Sequence, residues 1–147
     1  MLSKTVRYKF GYRPVIKVLL ENLHNPTIKP VKALALIDTG ASVTAVPYSL
    51  CDALGHNFEK GTVASSVSGG GGSRRTFVHA TRLTILELTK DGTVTIPPIP
   101  VFEPIDFQFQ FIEQHFPYVL LGQKDFLQHF RYVQNAKAGW FSLQRIR

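Results

Sequence analysis

The sequence predicts an all-β domain with one or two short helices. Three observations carry that expectation: β-compatible apolar runs recur along the 147 residues, clusters of Gly, Pro and Asn separate them, and only two stretches show helical spacing. At 44% hydrophobic the chain can bury one core and is too short for two comfortable ones, so residues 1–147 are read as a single domain.

The elements follow in order. PVIKVLLEN and KALALID read as two strands joined by the loop LHNPTIKPV. PYSLCDALG reads as a helix: Pro47 suits a first helical position, Leu50, Cys51 and Leu54 share a face, and Gly55 can supply a left-handed end. FVHATRLTILEL and TVTIPPIPVF flank TKDGT, whose Asp91-Gly92 pair signals a hairpin, so these two runs are expected to pair. DFQFQF alternates at period two, QKDFLQHF has a short helical pattern, and GWFSLQRI forms a last strand after a turn at Gly139.

Composition narrows the function. Cys51 is the only cysteine, which excludes an internal disulfide and a cysteine-rich zinc site and suits a reducing, cytoplasmic setting. The five histidines lack metal-ligand spacing and read as surface or structural residues. No apolar run approaches the roughly 20 residues of a membrane span, and the first residues lack a secretory signal's apolar centre. Residues 1–20 carry five bases and no acid, faintly like a transit peptide, but RPVIKVLLEN reads better as a strand. The net charge of +7 invites nucleic acid as a partner. Its bases are spaced singly among apolar residues without a recognition motif, so a solvated basic surface is expected and nucleic acid is not. The glycine run at Gly69, Gly70, Gly71 and Gly72 cannot help a strand, and no Lys-Ser or Lys-Thr follows to make it a phosphate loop.

One feature of the sequence is chemically conspicuous. Asp38 follows the apolar run ALALI and precedes Thr39 and Gly40, although burying a lone carboxylate costs several kcal/mol. A strand, DTGAS, a short helix, a glycine-rich loop, a hairpin and then VLLGQKDFL form an order that resembles the retropepsin-like, or retroviral-type, aspartic peptidases. The resemblance covers roughly residues 12–147. It matches the triplet after an apolar strand and, near the C-terminus, the signature of two or more apolar residues and a glycine, here Val119, Leu120, Leu121 and Gly122. FEPIDFQFQFIEQHFPY fits least and looks like an insertion.

The resemblance implies a closed β-barrel completed as a homodimer, acting on peptide or protein substrates without metal or cofactor. Aspartic peptidases need two close carboxylates sharing one proton, one acting as base on water while the other hydrogen-bonds the scissile carbonyl. No other aspartate here begins an Asp-Thr-Gly, so the second carboxylate is expected from Asp38 of a second chain across a two-fold axis. By the same resemblance Thr39 reaches across that axis and Gly40 lets the backbone donate to the carboxylates. Ala41 supplies no donor where pepsin-like enzymes carry a hydroxyl. Ser42 either bonds substrate backbone or serves as a turn hydroxyl.

Gly69 to Gly72 occupy the place of the family's substrate-covering flap, about residues 62–78, or are a plain linker. Arg74 and Arg75 either favour acidic substrates or are solvated. Phe107, Phe109, Phe111 and Phe116 line specificity pockets, extend the dimer or fill the core. Trp140 and Phe141 either join a sheet across the dimer or pack within one subunit. Two other readings stand beside the peptidase: a catalytically silent dimer or peptide-binding module of the same fold, and a basic β-domain binding nucleic acid.

Overall fold

A computed structural model describes residues 4–9, 13–63 and 74–146. The strands are β1 (Thr5–Lys9), β2 (Val15–Asn22), β3 (Val31–Ile37), β4 (Ala45–Pro47), β5 (Thr62–Val63), β6 (Thr76–Ile85), β7 (Ile105–Ile112), β8 (Val119–Leu121), β9 (Phe130–Asn135) and β10 (Trp140–Arg145). One α-helix, α1 (Ser49–Ala53), and two 3-10 turns, Phe58–Lys60 and Leu127–His129, complete the described elements.

Six strands pair in the order β2-β3-β8-β4-β7-β6, and β6 pairs back onto β2, so the sheet closes into a barrel with β5 attached outside the ring. Closure leaves no open edge within the ring. Strict alternation along β2 turns Ile16, Val18 and Leu20 into the barrel and Lys17 and Glu21 outward. The inward row ends on a polar residue, Asn22, which is satisfied: its amide donates to the Leu54 carbonyl, and its oxygen accepts from the His24 and Asn25 N–H groups. Phe109 and Phe111 of β7 fill the middle of the core.

The remaining strands form an antiparallel sheet, β1-β10-β9, whose inner residues Tyr8, Phe141 and Leu143 join the barrel's core cluster. Tyr8 stacks on Phe141 at 5.0 Å between ring centroids. Because β10 has β1 on one edge and β9 on the other, it cannot take a further strand from a second subunit. Phe141 is core of its own chain, and Trp140 lies under the Arg7 guanidinium.

Several elements depart from the expectation. The turn at Asp91-Gly92 forms, with Gly92 at φ +79°, and its arms meet at the isolated bridges Leu88–Val94 and Leu86–Pro100 and through scattered backbone bonds such as Glu87 N–H to the Ile99 carbonyl, but they form no continuous ladder. Pro97, Pro98 and Pro100 bring no N–H to a ladder, so the second arm cannot continue as a strand. β6 pairs instead with β7 through eight residue pairs, from Thr76–Ile112 to Leu83–Ile105. The stretch that looked like an insertion therefore supplies a barrel strand. Pro47 ends β4, beside Ile112 of β7, and the helix begins two residues later. Gly55 does supply the left-handed end, at φ +70°. The second helical pattern is realised only as the 3-10 turn at Leu127–His129.

Candidate active site

β3 and β8 run parallel at the centre of the site, with Ile37 beside Leu121. The ladder continues one step, because the Asp38 N–H donates to the Leu121 carbonyl at 3.0 Å. Beyond that point the two chain segments cross. A Cβ on Gly122 would lie 2.3 Å from the Val43 carbonyl carbon, so the crossing requires glycine.

The loop after β3 turns tightly, the Ala41 N–H donating to the Asp38 carbonyl at 3.1 Å. The Gly40 N–H donates to Asp38 Oδ1 at 3.0 Å, and a Cβ on Gly40 would press on that same oxygen at 3.3 Å. Asp38 and Ala41 are half-buried, while Thr39, Gly40 and Ser42 are exposed.

The crossing segment laces this loop in place. The N–H groups of Gln123 and Lys124 donate to the carbonyls of Ala41 and Ser42, and Gln123 Nε2 donates to the Thr39 carbonyl at 2.8 Å. Beneath, the buried Asp125 carboxylate accepts the Thr44 hydroxyl at 2.6 Å and the Thr44 N–H at 2.8 Å. Thr44 Oγ1 in turn accepts the Gly122 N–H at 3.0 Å. Sequence reading passed over Thr44, Gln123 and Asp125. The only sequence signal was an aspartate three places after the second glycine signature, in a segment read as a helix.

Other expected residues are placed elsewhere. Arg75 is exposed but not unpaired: it donates to Glu59 at 2.9 Å and to Glu113 at 2.6 Å, and these bonds hold the Glu113 carboxyl below its usual range. Phe109 and Phe111 are core, Phe107 is 40% exposed, and Phe116 is half-buried in a groove beside Pro47 and Leu50. Gly69, Gly70, Gly71, Gly72 and Arg74's neighbours in the proposed flap, residues 64–73, lie outside the described residues. No helix among the described residues is long and apolar enough to cross a membrane.

A six-stranded closed barrel in which an Asp-Thr-Gly loop crosses an apolar strand ending in glycine is a retropepsin-like fold. Residues 25–124 match the aspartyl protease family, and the chain belongs to it. Its structure is similar to a retropepsin-like aspartic protease from Rickettsia conorii, with a TM-score of 0.61 over 95% of this chain and 98% of that one at 16% identity. It is also matched to the EIAV protease complexed with the inhibitor HBY-793, with a TM-score of 0.44 over 80% of this chain and 88% of that one at 20% identity. Comparison with curated proteins gave no match.

Proposed function

We propose that the chain is an aspartic endopeptidase, active as a homodimer in which Asp38 of each subunit supplies one of two catalytic carboxylates. The observation that carries this reading is the setting of Asp38 against that of the chain's four other aspartates, two of which are committed to other partners. Asp125 is buried on Thr44 and Asp106 is paired with Arg82 at 2.7 Å, whereas Asp38 stands on a partly exposed loop with a backbone donor on its carboxylate. Asp52 lies on α1 and Asp91 in the turn before Gly92.

In the proposed reaction one Asp38 carboxylate takes a proton from water as the water oxygen attacks the scissile carbonyl carbon. The other, protonated, carboxyl gives its proton to the carbonyl oxygen. Collapse of the resulting diol breaks the C–N bond: the leaving amine takes the dyad's proton, and a diol hydroxyl returns one to the dyad as the C=O re-forms. Thr39 locks the two loops across the axis, the Gly40 N–H donates to the carboxylate, Ala41 adds no donor, and Ser42, exposed beside them, meets the substrate backbone.

Mixing tests the shared site. Adding a tenfold excess of Asp38→Asn chain to wild-type protein should suppress peptide cleavage, because hybrid dimers hold one ionisable carboxylate. Unchanged cleavage under exchange conditions would contradict the reading. A pepstatin-type inhibitor should block the wild-type activity, and a well-folded dimer that cleaves no peptide would be the silent binding module.

A further inference from the structure

Residues between α1 and β5 fold back over β6, and a pair of imidazoles joins the two. His56 and His79 are buried and stacked, with ring centroids 4.7 Å apart and planes inclined by 24°. Each ring meets Phe111 edge-on at 5.3 Å. Their partners fix the tautomers. His79 Nε2 lies 3.1 Å from the Phe58 carbonyl oxygen, which only accepts, so Nε2 carries the proton. Thr81 donates its one hydroxyl proton to the His79 carbonyl at 3.0 Å, and therefore accepts from His56 Nε2, 3.1 Å away. Nε2 of each ring therefore carries a proton, and each ring is neutral while its Nδ1 carries none. Gly61 closes the contact, since a Cβ there would lie 2.6 Å from the Val78 carbonyl oxygen and 2.7 Å from the His79 ring.

We propose that the His56–His79 stack is an acid-released latch: the neutral rings hold residues 56–63 against β6, and protonation frees that segment from the barrel. A proton on either Nδ1 places charge in an apolar stack against Phe111, and a proton on both places two cations at stacking distance. Burial, then His79 and His24, hold His56 down at about 4. Burial also lowers His79, opposed by its hydrogen bond to Phe58 and reinforced by His24. Once released, each ring returns to an ordinary value of about 6.5. Below that pH the released segment therefore gains up to about tenfold in population per pH unit for each ring, until the latched form itself takes up a proton.

The charged groups around the stack do not remove this effect. His24 follows β2, Asp52 lies on α1, and Glu59 lies in the turn at Phe58–Lys60, where Arg75 ties it to Glu113. The Arg75–Glu59 bridge, the one that ties this segment, is exposed on both sides, so it opposes the release only weakly. Any consequence for peptide cleavage rests on the peptidase reading. The latch itself does not, and its test uses no substrate.

Hydrogen exchange from pH 7 to 4.5, corrected for intrinsic rates, should show the peptide covering residues 57–63 losing protection by about tenfold or more while β3 stays protected. The His56→Gln/His79→Gln protein, whose amides donate but do not titrate in this range, should show no such change. Constant protection in the wild type, or the same loss in the double variant, would overturn the proposal. Should the variant not fold, NMR titration of the wild-type rings decides: His56 titrating below 5 supports the latch, and both rings titrating near 6.5 overturns it. Absence of peptidase activity with the exchange signature present would count against the peptidase reading alone.

Discussion

Asp125 and Thr44 are 81 positions apart and joined through both backbone and side chain, and this pair fastens the Asp38 loop to the segment that crosses it. The carboxylate is 1% exposed, so its charge is held by the Thr44 N–H and hydroxyl rather than by water. Thr44→Val would remove the hydroxyl from both Asp125 and the Gly122 N–H. It should destabilise the fold by about 2–4 kcal/mol, since bonds to a buried charge are the costly ones to lose. Urea unfolding measures this, and a loss under 0.5 kcal/mol would mean that the pair does not fasten the loop.

That pair also marks where the sequence stopped being informative. Asp38 was legible because a carboxylate directly after ALALI, before Thr39 and Gly40, has few structural excuses. Leu121 and Gly122 were legible only through the resemblance to the retropepsin-like family. Asp125 was not, because its role depends on a crossing made by distant residues, and nothing in QKDFLQHF distinguishes a buried acceptor from a helix-surface acid. Period-two alternation located β7 correctly, yet its place in the ring is a long-range pairing that Asp91-Gly92 argued against. The three prolines at 97, 98 and 100 already argued against a continuous ladder on that turn's second arm. β10 was likewise visible as a strand, while the flanking β1 and β9 that close both its edges were not read.

Gly122 offers a sharper test of the crossing. Its absent side chain admits the Val43 backbone, where a Cβ would be 2.3 Å from a carbonyl carbon that no rotamer change can move. Gly122→Ala should therefore cost about 3 kcal/mol or more, or prevent folding, whereas Gly92→Ala, with open space around it, should cost only its left-handed strain of about 1 kcal/mol. Comparable unfolding midpoints for the two variants would refute the crossing geometry.

Cys51 gives a chemical check on α1. Burial first, and the neighbouring Asp52 charge second, push its thiol up to about 12, and it is 1% exposed. A thiol so placed is neither ionised nor reachable at pH 8. Ellman's reagent should therefore label the native protein only at the rate at which α1 opens, and label it within seconds in urea. Immediate stoichiometric labelling of the native protein would show that the helix does not pack its inner face on the barrel.

The stacked histidines also predict how global stability depends on pH. Their folded-state values lie below the ordinary 6.5, so above about pH 6.5 neither state is protonated and the pair contributes no pH dependence. As pH falls below 6.5 the unfolded chain binds protons that the folded chain refuses, and stability declines until the folded rings titrate. With His56 at about 4, its share of that decline is on the order of 2–3 kcal/mol. Carboxylates held in the native state, Glu113 and Asp106 among them, lose their contribution only at lower pH, because Arg75 and Arg82 keep them below their usual range. Urea midpoints at pH 7 and pH 4.5 should therefore separate in the wild type and lie much closer in His56→Gln/His79→Gln. Equal separation in both proteins would place the acid sensitivity in the carboxylates rather than in the stack.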